Sequence, residues 1–251
     1  MPTPFSHLVA AQRLLDDERL AQSARALLDQ HRDAFLLGSI AADARVETSI
    51  ARAETHFYAY DQSIVEHPWQ VMLRLHPQLE TPRDNAHRVF LAAYVAHLSM
   101  DEIWTLDMLE THFVRREWGT REQRFLMLHI ILSYMDERDY VQIAPWQYEC
   151  LKSAQSRRWL PFLPDDMLMA WRNLIARQIK PGSRSETLDI FSKRIHKSAA
   201  ELRAILDNPA RMQRDLWDHI SRETLAQVEV TMYDHAREQM LLYLNAQAKF
   251  I

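Results

Sequence analysis

The sequence predicts an all-α fold. Three observations lead there: apolar residues recur three and four apart along most of the chain, no segment reads as a strand, and only 3 of the 251 residues are glycine. Strand-rich folds need glycine at turns and bulges, so its scarcity favours long helices joined by few tight turns.

From Ser6 to Gln30 the apolar positions Leu8, Ala11, Leu14, Leu15, Leu20, Ala24, Leu27 and Leu28 trace one amphipathic helix, with Ser6 as its N-cap. Residues 31–57 read as a short buried helical turn, a loop and a return toward helix. A helix follows over Ile64–Leu75, with Pro68 tolerated in its first turn. The longest apolar pattern runs from Arg83 to Val114. Its middle, Val89 to Leu98, is apolar on nearly every side, which marks the central helix of a bundle. Helices are expected over Arg121–Asp136, more weakly over Pro145–Pro161, and over Asp165–Ile179. The Pro-Gly pair in "KPGS" at 180–183 is the clearest breaker. Two long helices close the chain, Ser185–Leu206 and Pro209–Ala248. The expectation is one helical domain over residues 1–251: a half at 1–138 that holds the chemistry, and a C-terminal helical half at 139–251 that packs against it or covers its mouth.

Apolar residues make up 47% and charged residues 25%, as in ordinary globular chains. The net charge of −4 gives no reason to expect a nucleic-acid or anionic-membrane partner. One cysteine, Cys150, excludes an intrachain disulfide. The first twenty residues lack a basic region followed by an apolar core, and no window approaches 18 apolar residues. No secretory signal and no membrane span are expected, and a cytoplasmic enzyme or binding protein is the default.

In "AAYVAHLSMDEIW", residues 92–104, His97 and Asp101 lie one turn apart on a single helix face. The surrounding helix is apolar. Burying an unpaired polar group costs roughly 2–7 kcal/mol, and a charge more, so the two need a polar partner. An ion-paired couple meets that need, and so does a shared metal ion. Asp43, His56 and His7 sit beside apolar segments in the same way, and the five together form a mixed nitrogen and oxygen set suited to Zn²⁺, Fe²⁺ or Mn²⁺. Each has a plainer alternative: His7 as a hydrogen-bonded core histidine, Asp43 as a cap or turn residue. Arg45 and Arg52, between Asp43 and His56, could contact a phosphate, although solvated loop arginines are the more ordinary role. Trp146, Tyr148, Trp159, Phe162 and Trp171 could line a groove or simply pack between helices. There is no glycine-rich phosphate loop, no G-x-S-x-G and no His-Asp dipeptide.

The ordered segments "SHLVAAQRLL", "FLLGSIAADAR", "THF" and "AYVAHLSMDEIW" resemble the zinc-dependent phospholipase C family. Its members carry a His near the start of the first helix, a Gly-Ser-Ile-Ala-Pro-Asp segment, a Thr-His-Phe, and a helix reading Gly-Tyr-x-x-His-x-x-x-Asp-x-x-Trp. The resemblance covers residues 1 to about 110. It implies a multi-helix bundle of the zinc-dependent phospholipase C and P1-nuclease type, here with a helical C-terminal extension, and a phosphodiester hydrolase built on clustered zinc ions. By the resemblance, Asp43, His56, His97 and Asp101 match the ligands of a first metal, Asp101 and His7 serve a neighbouring one, and Asp43 is a candidate general base. One or two zinc ions are implied, with a phosphoester of unspecified class as substrate.

The departures are specific. Ala42 and Ala93 replace a Pro and a Gly common in the family. The free N-terminal amine that ligates a metal in the secreted enzymes has no evident counterpart. For the third metal, Asp107 stands where a His is expected, and Ser133 rather than Glu follows His129 at the fourth position. His112 and His129 in a shifted arrangement, or His219 with Glu223, are the remaining candidates, and His112 and His129 read better as ordinary helix residues. Ala44 and Ala53 occupy the positions of the choline-binding aromatics, so a headgroup pocket of that kind is not expected. The competing expectation is a non-catalytic protein that keeps the fold and one structural metal and acts through a protein partner.

Overall fold

A computed structural model describes residues 2–47 and 50–247. Among them there are helices and no strands, in agreement with the all-α expectation. The helices are α1 (Pro4–Asp16), α2 (Gln22–Gln30), α3 (Arg32–Ala41), α4 (Arg52–His56), α5 (Pro68–Leu75), α6 (Asn85–Ile103), α7 (Arg121–Tyr140), α8 (Pro145–Ser153), α9 (Asp165–Ile179), α10 (Thr187–Ile195), α11 (Ala199–Leu206), α12 (Pro209–Met212) and α13 (Arg222–Gln247).

α6 is the axis of the bundle. Val89, Phe90, Leu91, Ala92, Ala93, Tyr94, Val95 and Leu98 are all fully buried, as a helix apolar on every side requires. α3 packs along one side of it and α13 along another. The α3–α6 approach depends on Gly38. A Cβ at that position would lie 2.1 Å from the main-chain oxygen of Phe90 and 2.9 Å from the Ala93 Cβ, so only glycine fits. Beyond Ile103 the chain continues as a wide π-helical segment, Trp104–Val114, up to the end expected for this element.

Several expected helices are divided, each for a local reason. The helix expected over 6–30 stops at Asp16, because the Asp17 carboxylate accepts bonds from the Arg19 main-chain N–H at 2.9 Å and the Tyr233 hydroxyl at 2.9 Å. Ser6 is not its cap. Thr3 holds that position, Pro4 starts the helix, and the Ser6 hydroxyl donates to Asp139 at 2.6 Å. α5 begins at Pro68 rather than Ile64, since the residue before a proline disfavours helical geometry. The span 185–206 is broken at His196, which takes a left-handed φ of 52°. Ser198 then caps α11 reciprocally with Glu201. The last span divides into α12, a π turn (Gln213–Trp217) and α13, with the Ser221 hydroxyl accepting from the Thr224 N–H at 3.0 Å. Ala248, the expected end, lies outside the described residues.

The two halves of the chain share one apolar core. The Trp171 indole on α9 donates to the Ile40 carbonyl of α3 at 2.9 Å, and Trp69 on α5 donates to Gln239 of α13 at 2.9 Å. Among the described residues no helix is long and apolar enough to cross a membrane.

Candidate metal centre

The five ligand candidates come from four elements and meet at one buried point. His7 lies in the first turns of α1 and His56 is the last residue of α4, where Phe57 ends the helix at a left-handed φ of 62°. Asp43 sits on a 3-10 turn (Ala42–Glu47) that prolongs α3, and His97 and Asp101 project from α6. The Asp101 carboxylate is the hub. His7 Nε2 is 3.5 Å from its Oδ1, while His56 Nε2 and His97 Nε2 stand 3.3 and 3.4 Å from its Oδ2. His56 Nε2 is also 3.5 Å from Asp43 Oδ1. The His7 and His97 rings are stacked, with centroids 3.8 Å apart.

The imidazoles are aimed by their outer nitrogens. His97 Nδ1 lies 2.7 Å from the Ser39 carbonyl, which can only accept, so Nδ1 carries the proton and the Nε2 lone pair faces Asp101. His56 Nδ1 is paired with the Thr55 hydroxyl at 2.9 Å. Thr55 is itself held through its carbonyl, which accepts from Tyr94 at 2.7 Å. On the inner side, His7 Nδ1 and Nε2, His56 Nε2, His97 Nε2 and both Asp101 oxygens are buried with no hydrogen-bond partner among the described residues. Lone pairs pointed at a carboxylate in a dry interior are repulsive unless a cation or a proton stands between them.

Charge in the cluster follows the same logic. Burial pushes the His7 imidazolium down, with His97 adding to the effect, and burial together with the Arg52 charge pushes His56 down. Both are therefore neutral, the form a metal needs. Burial also works against a charged His97, but Asp101 outweighs it and holds His97 above its ordinary value. Burial raises both carboxyls, yet the facing histidines leave Asp43 and Asp101 net well below the carboxylate range. Asp101 and His97 thus favour each other's charged forms. A divalent ion of nitrogen and oxygen preference fits the same place, and His56, His97 and Asp101, like His7, Asp43 and His97, present donor atoms within 4.8 Å of one another.

Of the five, only Asp43 reaches a cavity of about 1100 Å³ beside the cluster. Arg45 and Arg52 line it too. Neither is a solvated loop arginine. Arg45 is half-buried. Arg52 is 9% exposed, 3.6 Å from Asp101 Oδ2, bonded to the Tyr58 hydroxyl at 2.6 Å, and stacked on the rings of Tyr58 and Tyr60. Apolar side chains also line it: Phe113, Phe125, Leu128, Ile175, Ile190 and Phe191. In all, six arginines and four carboxylates face the cavity, which favours an anionic guest.

The other histidine candidates stand apart from the cluster, although His129 lines the cavity. His129 Nδ1 is bonded to its own helix at the Phe125 carbonyl, 2.8 Å away, and His219 stacks on Trp118 at 4.5 Å. Neither these two nor His112 joins a group of ligand-bearing side chains among the described residues, and Glu223 does not either. Of the aromatic run, only Trp171 lines the cavity, while Trp159 and Phe162 pack against His87 and Phe57. Tyr58, Tyr60 and the α10 wall carry no sequence signal beyond being aromatic or amphipathic. A second group, His67, Glu102 and His235, joins residues 168 positions apart and has no local motif.

Compared with known proteins, the chain matches no family model, no curated sequence and no solved structure. What defines the site is its own geometry: a histidine–aspartate cluster with unpaired inner atoms beside an arginine-lined cavity.

Proposed function

We propose that the protein is a metal-dependent phosphoester hydrolase of the zinc-dependent phospholipase C type, acting on a phosphodiester that carries an apolar group. The observation that carries this reading is the set of buried, unpartnered His and Asp atoms that opens, through Asp43, on a cavity lined by arginines and by apolar side chains. His56, His97, Asp101 and Asp43 would hold one ion, and His7 with Asp101 a second. Zinc held there supplies Lewis acidity, which polarises a phosphoryl oxygen and makes water a nucleophile near neutral pH.

The protein's own groups do the rest. Asp43, the one of the five ligand candidates that lines the cavity, would accept a proton from the attacking water. Arg52, held by two tyrosines, and Arg45 orient the phosphate. The apolar lining residues, Phe113, Leu128, Ile175, Ile190 and Phe191 among them, take the apolar substituent.

One observation favours a second reading, a non-catalytic protein with a structural metal that acts through a protein partner: His7, His56, His97 and Asp101 are all at most 1% exposed, and of the five only Asp43 lines the large cavity. A single experiment separates the two. Zinc-loaded protein is assayed against soluble and amphiphilic phosphodiesters, with metal content measured in parallel. The hydrolase reading expects metal-dependent turnover that falls about 10²–10⁴-fold in Asp43→Asn at saturating zinc. Stoichiometric zinc without cleavage of any class would establish the structural reading instead.

A further inference from the structure

Glu102 follows Asp101 directly, and successive residues of a helix point about 100° apart. While Asp101 turns into the buried cluster, Glu102 faces α5 and α13. There its Oε1 meets His67 Nδ1 at 2.8 Å and its Oε2 meets His235 Nε2 at 3.3 Å. His67 immediately precedes α5 and holds its N-cap position, but its side chain makes no capping bond. His235 comes from the middle of α13. Three distant parts of the chain therefore bring three ligand atoms within 4.8 Å of one another.

We propose that His67, Glu102 and His235 form a second metal site, separate from the first, for a borderline divalent ion such as Zn²⁺. The donor set of two histidines and one carboxylate is that of zinc sites that keep a fourth position open. Donors about 2.0–2.2 Å from a tetrahedral ion stand roughly 3.3 Å apart, which these side chains reach by small rotations. The exposure gradient suits such a site: Glu102 is 7% exposed, His235 16% and His67 37%, so the carboxylate forms the floor and the outer side admits water as the fourth ligand. The imidazole centroids are 5.3 Å apart and tilted, not stacked in a way that would close the gap between them. An ion here ties α5 and α13 to the axis of the bundle.

The test starts from protein stripped with a chelator and titrated with zinc against a competing chelator, with stoichiometry and thermal midpoint both read. The variants are His67→Ala/His235→Ala, the bulk-preserving His235→Asn, and Asp101→Asn. Loss of one ion per chain in both His variants, with the zinc-induced rise in midpoint reduced, supports the site. The ion they lose must be one that Asp101→Asn retains. Wild-type stoichiometry and an unchanged midpoint shift in the His variants overturn it, as does zinc at this position so weak that the competing chelator removes it. The midpoint readout needs no turnover, so the outcome does not depend on whether the first site hydrolyses anything.

Discussion

Gly38→Ala tests whether the contact between α3 and α6 sets the candidate metal centre. In an exposed helix this change stabilises, because alanine has the better helix propensity by about 1 kcal/mol. Here the sign reverses. The new methyl would stand 2.1 Å from the Phe90 main-chain oxygen, where ordinary contact begins at 3.4 Å. α3 must retreat by roughly 1.3 Å, and neither neighbour is a flexible side-chain end that could give way. Overpacking of this kind costs about 1–3 kcal/mol, and a backbone obstacle puts the cost near about 3. For a chain of this size that lowers the thermal midpoint by about 6–12 °C. The same movement withdraws the Ser39 carbonyl from His97 Nδ1, now 2.7 Å away, and loss of such an outer partner weakens metal binding about 10–100-fold. Thermal melts of metal-free protein and zinc titration measure the two effects. Adding Ala93→Gly relieves only the 2.9 Å contact and should recover little. A midpoint within about 2 °C of wild type, with unchanged zinc affinity, would refute the close-approach reasoning.

Asp101→Asn removes the charge that three histidines share, so bound zinc at the first centre should be lost, as read by metal analysis, and His97 should titrate lower in the metal-free protein by NMR. Arg52→Ala should raise KM for an anionic phosphodiester about ten- to a hundredfold, the worth of a charge-assisted bond, with a smaller change in kcat; an unchanged KM removes Arg52 from the substrate's path. His87 is pushed down to about 4 by burial, with the Arg83 N–H donating to its Nδ1 and its Nε2 facing the Trp159 carbonyl. A histidine depressed on folding contributes stability that is full above about pH 6.5 and is lost as pH falls toward 4. His87→Gln should therefore flatten the pH dependence of stability in that window. Asp136, pushed up to about 6 by burial, works in the opposite sense but is common to both proteins and cancels in the comparison.

Much of this was legible in the chain because it is written in local periodicity. α9 has the bounds its pattern implies, and α6 is buried on every side over the stretch that is apolar on every side. The five ligand candidates were legible for a related reason: each is a polar residue set against an apolar segment, and in a folded core such groups must find one another. The breaks were not legible. The stop after Asp16 depends on a carboxylate bonded to Tyr233, more than two hundred residues away, and the left-handed turn at His196 has no glycine to announce it. The environment of Arg52 was hidden too, since only the fold brings Tyr58, Tyr60 and Asp101 around it. The group of His67, Glu102 and His235 lay beyond any spacing rule, because three helices must pack before it exists.

The cavity has a consequence for how such a protein can change. Every ligand candidate of the first centre lies between His7 and Asp101, whereas Ile190, Phe191 and Arg194 of the cavity lining belong to α10, far along the chain. Substitutions there reshape what the cavity admits without moving a histidine or an aspartate of the cluster. Selection could thus retune the choice of guest in one stretch of sequence while the histidine–aspartate cluster in another stays as it is.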